Sequence, residues 1–186
     1  MGHSPLPDEG GVSREGVRST AGEPAPSPPV SVPPSPIPTH PMTPATLTLQ
    51  AALAQQLADA LPADQTWEHA LVNYELGEEL PDEGGPQASY LAFYLVRAAG
   101  NVLVVEELRP LPADMHYFFQ DLRRAMATDE PARRWGTAEL TLSGDGRYRL
   151  TFDYNPPKRL NGILDEDSYD RFRADRYLAA YATGRG

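Results

Sequence analysis

Residues 135–155 have the sequence WGTAELTLSGDGRYRLTFDYN, and this stretch decides the class of fold. Apolar and polar residues alternate on either side of a central Gly-Asp-Gly, as they do in strands with one half-buried face. The pattern predicts a β-hairpin with strands at residues 135–143 and 147–154, joined by a tight turn at residues 144–146. Pro156 and Pro157 follow, and they end the pairing because proline has no backbone N–H to donate.

The chain before this hairpin predicts one helix and three strands. Leucine recurs at every fourth position from Leu49 to Leu61, which predicts an amphipathic helix that Thr43 caps, Pro44 begins and Pro62 ends. Period-two alternation then predicts strands at residues 67–76, 89–97 and 102–108. The second of these is apolar on both faces and is therefore expected to be the central strand, after an acidic loop at residues 77–87.

Two further helices complete the predicted fold. One opens at Asp114 and carries an apolar stripe that packs into the core, with Arg123 off the stripe. The other is expected from residue 167 to residue 181. Its predicted core contacts are Tyr169, Phe172, Leu178 and Tyr181, and the stripe of the earlier helix is Met115, Phe118, Phe119, Leu122 and Met126. The order α-β-β-β-α-β-β-α with short links between strands predicts an antiparallel sheet in an α+β domain.

Residues 1–44 differ in composition from the rest of the chain. They hold 12 of the 20 prolines and no aromatic residue, which is typical of a disordered proline-rich leader. The leader is expected to be a spacer or an incorrectly assigned start, with a PxxP-type ligand as the alternative. Residues 45–186, 142 in number, are the size of a single domain.

Charge and cysteine content narrow the classes of function. The chain has 26 Asp and Glu against 16 Lys and Arg, a net charge of −10, so phosphate backbones and anionic membranes are disfavoured as partners and a basic protein is favoured. With no cysteine, the chain has neither disulfides nor thiolate metal sites. The sequence shows neither a secretory signal nor an apolar stretch of membrane-spanning length, and a cytoplasmic location is expected.

Motifs for catalysis or for cofactor binding are missing from the sequence. His3, His40, His69 and His116 lack metal-ligand spacing, and neither a serine-nucleophile elbow nor a phosphate-binding glycine loop occurs. Adjacent carboxylates are plentiful, and they are interpreted as solvated charges or as a collective anionic surface. We therefore expect no catalytic residue, no cofactor and no metal, with a carboxylate-based hydrolase as the alternative enzyme hypothesis.

The hairpin resembles the signature of the YezG-like immunity proteins. In that family a Trp opens a strand, a Gly-containing turn follows, and an aromatic strand ends in Phe-Asp-Tyr; here these are Trp135, Asp145-Gly146 with Tyr148, and Phe152-Asp153-Tyr154. The resemblance extends over residues 47–181. It implies a small cytoplasmic antidote of a bacterial polymorphic toxin system, which binds and neutralises a toxin domain that is typically a nuclease.

An acidic module that occupies the cationic site of a toxin is expected to bind through clustered carboxylates and a neighbouring tyrosine. Asp153 is equally consistent with pairing to Arg147 or Arg149, and Tyr154 with closing the core. An acidic chaperone or adaptor for a secreted effector is the alternative binding role, and the oligomeric state stays open. The predicted partner-binding residues are Glu75, Glu78, Glu79, Asp82, Glu83, Asp153, Tyr154, Asp165, Glu166 and Asp167.

Overall fold

The computed structural model describes residues 43–80, 85–127, 134–164 and 173–184, which belong to one compact unit. The predicted leader lies outside these ranges except for its last two residues. The order of elements agrees with the prediction. The elements are α1 Pro44–Ala60, β1 Trp67–Leu80, β2 Gly85–Ala98, β3 Val102–Glu107, α2 Ala113–Met126, β4 Thr137–Ser143, β5 Tyr148–Asp153 and α3 Ala174–Ala182.

The five strands form one antiparallel sheet with the order β3-β2-β1-β4-β5. The α+β prediction is therefore confirmed. The strand at the centre is β1, whereas β2, which was expected there, is paired on both sides one position away. Both strands are interior to the sheet. Interior strands are often apolar on both faces, which explains why the pattern of β2 predicted a central position.

Helices α1 and α2 cover one face of the sheet and bury its largest core. Alternate residues of β1 point into this core, and all are fully buried: Ala70, Val72, Tyr74 and Leu76. The predicted cap of α1 is confirmed, because the Thr43 hydroxyl accepts a hydrogen bond from the Thr46 N–H at 3.2 Å. The stripe of α2 is also confirmed, with Phe119 stacked on Tyr74 at 4.3 Å between ring centroids.

Helix α3 covers part of the opposite face of the sheet. Tyr177 is its buried residue and packs with Leu71, Phe93 and Leu95 in a second, smaller core. Leu178 and Tyr181 are partly buried against this core, as predicted, while Tyr169 and Phe172 lie outside the described residues. The predicted helix start at residue 167 lies outside the described residues; within them, α3 begins at Ala174, because the backbone of Arg173 is extended with φ −69° and ψ 148°.

The acidic loop predicted at residues 77–87 is wrong, because the strands continue through most of it. β1 extends to Leu80 and β2 begins at Gly85. β4 pairs with β1 only up to Glu75, and β3 pairs with β2 only from Phe93 onward. Residues 77–80 and 85–88 therefore form a two-stranded extension beyond the neighbouring strands, here called the β1–β2 arm.

A bulge sits at the base of this arm. The pairing passes from Leu76 opposite Ala88 to Glu79 opposite Pro86, so β1 has one residue more than β2 in this interval. A bulge removes a residue from the regular ladder and changes the direction of the side chains beyond it. The bulge here leaves the Gly77 carbonyl accessible to a donor from α2.

Candidate functional site

A groove of about 560 Å³ lies beside the base of the β1–β2 arm. It lies between the arm and the segment that follows the last hairpin, and Arg123 near the end of α2 also lines it. Its two walls come from distant parts of the sequence, with Gly77 and Glu78 on one side and Tyr154 and Leu160 on the other. The groove is lined by Gly77, Glu78, Gln87, Arg123, Arg134, Gly136, Tyr154, Asn155, Pro156, Pro157, Leu160 and Asn161.

Arg123 of α2 is the central cation of this groove. Only 10% of its side chain is exposed, and its Nη1 donates a hydrogen bond to the Gly77 carbonyl freed by the bulge. Its Nη2 lies 3.6 Å from the Glu78 carboxylate, and its guanidinium lies 5.9 Å from the centre of the Trp135 ring. Burial lowers the Arg123 pKa, the nearby Arg134 lowers it further, and Glu78 opposes both effects.

A second, smaller groove of about 270 Å³ shares Arg123 and Arg134 with the first. Arg124 and Glu79 also line it, and their charged groups lie 3.8 Å apart. Arg124 additionally pairs with Asp121 at 2.9 Å, one turn earlier on the same helix. Two guanidinium groups are therefore shared by the two grooves and a third lines the smaller one, in a chain whose net charge is strongly negative.

A buried ion pair fixes the wall opposite the arm. Arg159 and Glu75 lie 3.4 Å apart, and their side chains are 7% and 3% exposed. The Glu75 carboxylate also accepts hydrogen bonds from the backbone N–H groups of Arg159 and Leu160, at 3.3 and 3.1 Å. Arg159 in turn donates to the Asn73 side chain at 2.7 Å, so this polar cluster holds the segment against the sheet.

Two of the predicted partner-binding residues meet in the larger groove. Glu78 is one, with 74% of its side chain exposed, and Tyr154 is the other. Tyr154 also packs against the main core, and burial raises its pKa. Glu79 lies in the adjoining groove with 58% of its side chain exposed.

The remaining predicted contact residues are placed differently. Glu75 is buried under the segment after the hairpin, so its carboxylate is not part of the accessible surface. The alternation of residues in β1 did not reveal that this segment covers the face of the strand on which Glu75 lies. Asp153 accepts hydrogen bonds from the backbone N–H and the side-chain amide of Asn155, at 2.9 and 2.7 Å. The other five, Asp82, Glu83, Asp165, Glu166 and Asp167, lie outside the described residues.

Neither pairing considered for Asp153 is found among the described contacts. Arg147 instead pairs with Asp145 in the turn of the hairpin, at 2.8 Å. Hydrogen bonding to Arg147 lowers the Asp145 pKa. Asp153 therefore has a local role at the exit of the hairpin, where it forms an Asx-type turn.

Most of the net negative charge lies in segments outside the described ranges. The described residues carry 14 carboxylates and 11 Lys or Arg, a net charge of −3, against −10 for the whole chain. Residues 43–80 contribute six carboxylates and no Lys or Arg. Within the described fold, the anionic character is therefore greatest in residues 43–80, which include α1 and β1 together with the part of β1 that belongs to the arm.

The two histidines of the domain pair with tyrosines. His69 Nδ1 and the Tyr177 hydroxyl share a hydrogen bond of 2.6 Å, and His116 Nδ1 and the Tyr74 hydroxyl share one of 2.8 Å. Burial lowers the pKa of both imidazoles. In the described part of the chain, no three His, Asp or Glu side chains come together as a metal site would require.

Three arginines that shape the site were missed from the sequence. Arg159 follows two prolines and gave no periodic signal, and Arg134 precedes the first strand of the hairpin. The prediction that Arg123 lies off the apolar stripe of α2 is wrong, because this residue is buried. It lies four residues after Phe119 and eight after Met115 and therefore shares their helical face, which is the signal that could have located it.

The sequence matches no model of a known protein family, and a search of curated proteins returns no significant match. None of the helices in the described ranges is both long enough and apolar enough to cross a membrane.

Proposed function

We propose that this protein is an immunity protein, which binds and neutralises a cognate toxin domain by covering its active site in a stoichiometric complex. The toxin domain is a nuclease, and the antidote acts in the cytoplasm without catalytic residues of its own. The hairpin resemblance is one support for this proposal. The geometry of the β1–β2 arm is the other, and it is the observation that carries the proposal.

The arm suits insertion into a cationic cleft. It extends past both neighbouring strands, and it presents Glu78 and Glu79 with most of their side chains exposed. Among the described residues, Glu78 lies 3.6 Å from Arg123 and Glu79 lies 3.8 Å from Arg124, and such long contacts of exposed carboxylates contribute little free energy. A partner that offers closer cations can therefore replace them at low cost.

A nuclease provides the complementary surface. Its active site receives phosphate groups, and cationic side chains in and around it attract an acidic protein and accelerate encounter. Tyr154 lines the groove beside the arm and supplies the kind of amphipathic contact that interfaces favour.

Co-expression tests the proposal. The cognate toxin domain, sought among the products of adjacent genes and expressed alone, is expected to kill the host, and expression together with this protein is expected to restore growth. Survival no better than with an empty vector would remove the immunity function. A complex that forms while the nuclease remains active would indicate an acidic chaperone or adaptor instead.

A further inference from the structure

The junction of the two grooves holds buried donors that the protein itself does not satisfy. The Nε–H of Arg123 and that of Arg134 are both buried, and neither has a hydrogen-bond acceptor within the described part of the chain. An unpaired buried donor destabilises the folded state, and does so more strongly when it is charged, so such groups are normally satisfied. Two of them on neighbouring guanidinium groups point to a missing acceptor.

We propose that this junction is a binding site for an oxyanion, either a carboxylate or a phosphate group. Arginine binds oxyanions through two parallel N–H donors, and one such edge consists of Nε and Nη2. On Arg123, Nη1 donates to the Gly77 carbonyl, whereas among the described residues the contact of Nη2 is the long one of 3.6 Å with Glu78. The Nε–Nη2 edge of Arg123 is therefore the one that would bind an oxyanion.

Arg134 provides the second half of the site. It lines both grooves with Arg123, and the proximity of the two cations lowers the Arg123 pKa. Two like charges held together repel each other, and an anion between them relieves this repulsion. Arg124 lines the smaller groove as a third cation, although Asp121 and Glu79 already engage it.

Glu78 is the internal competitor for this site. Its carboxylate lies 3.6 Å from Arg123 Nη2, and its side chain, 74% exposed, can move aside when a ligand arrives. Removal of its charge is therefore expected to strengthen binding of an external oxyanion. A purely structural role of the arginines would not give this result, because loss of Glu78 would then only weaken a contact.

The proposal does not depend on the toxin-binding function, because the test uses small anions and the purified full chain. Sodium phosphate and sodium acetate are titrated separately at constant ionic strength, and the arginine Nε–H and tryptophan indole N–H signals are followed by NMR. The chain has two tryptophans, and Trp135 lies against Arg123 whereas Trp67 is an internal control. Saturable shifts are expected for the Arg123, Arg134 and Trp135 signals.

Variants separate the site from general charge effects. Arg134→Gln is expected to weaken binding about tenfold or more, as loss of a charge-assisted hydrogen bond should. Glu78→Gln is expected to strengthen it, and Arg147→Gln, in the distant hairpin turn, is expected to leave it unchanged. Binding of only one of the two anions would identify the oxyanion class. Shifts that do not saturate with either anion, or that are unaltered in Arg134→Gln, would overturn the proposal.

Discussion

The Glu75 carboxylate and the Arg159 guanidinium form a buried ion pair across 3.4 Å, although 84 residues separate them in the chain. This pair joins the middle of the central strand to the segment that follows the last hairpin. One wall of the candidate groove is thereby fixed to the same strand that continues into the β1–β2 arm. The same polar cluster therefore contributes both to the stability of the fold and to the shape of the groove.

Removal of one partner of this pair should be costly. Arg159→Ala leaves a buried carboxylate without its cation, and a loss of about 3–5 kcal/mol in the free energy of unfolding is expected. Glu75→Ala combined with Arg159→Ala should cost less than the sum of the two single changes, because neither charge is then left alone. Chemical denaturation measures each value, with the exposed Arg149→Ala as the control; strictly additive losses would contradict a direct pairing.

Much of this architecture could be predicted from the sequence. Period-two alternation from Ala70 to Leu76 and the four-residue leucine spacing after Thr43 are local signals, and they located β1 and α1 correctly. The burial of Glu75 could not be predicted in this way, since its cover arrives from a segment without periodicity. The strand character of Glu78 and Glu79 was also missed, because charged residues after a glycine are typical of loops and only pairing with β2 makes them a strand.

Gly136 should be intolerant of a side chain. A Cβ at this position would lie 2.3 Å from the Asn155 carbonyl oxygen and 3.0 Å from the Pro157 ring, so the wall of the groove would have to move. Gly136→Ala is expected to destabilise the protein by about 1–3 kcal/mol. Gly77→Ala is a matched control in the same groove, because its nearest contacts lie at 3.5 Å or more. Equal melting temperatures for the two variants would be inconsistent with this close packing.

Stability should fall on mild acidification because of His69. Its ring packs against Tyr177 and Tyr181, with the Glu68 carboxylate 3.5 Å from the Tyr181 hydroxyl, and burial lowers its pKa below the unfolded value of about 6.5. The unfolded chain therefore takes up the proton first. The contribution of neutral His69 to stability is therefore complete above about pH 6.5, and it is lost as the pH falls through the lower pKa that His69 has in the folded protein.

Urea denaturation at pH 7.5 and pH 5.5 measures this dependence. The pKa of His116 is also lowered by burial, so His116 contributes to the pH dependence in the same direction. The contribution of His69 is the part of the pH dependence that His69→Gln removes. A free energy of unfolding that rises on acidification, or a pH dependence that is identical in His69→Gln, would show that the imidazole is not held neutral by burial.

The arm carboxylates should govern toxin affinity without affecting folding. Glu78→Gln combined with Glu79→Gln is expected to weaken binding of the toxin and to reduce the dependence of binding on salt, because screened charges at the interface are lost. Their surface pairs contribute at most about 1 kcal/mol, so the melting temperature should change little. Glu106→Gln with Glu107→Gln, on the edge strand β3, removes the same charge elsewhere and should leave affinity unchanged. Equal loss of affinity in both double variants would assign the effect to net charge.

The most direct measurement of the central claim is a titration of toxin activity with the purified full chain. Nuclease turnover should decline in proportion to the protein added and reach zero at one molar equivalent, and Glu78→Gln with Glu79→Gln should shift the end point to higher ratios. Activity that persists at saturating protein, or that is abolished by a small fraction of an equivalent, would contradict stoichiometric occlusion.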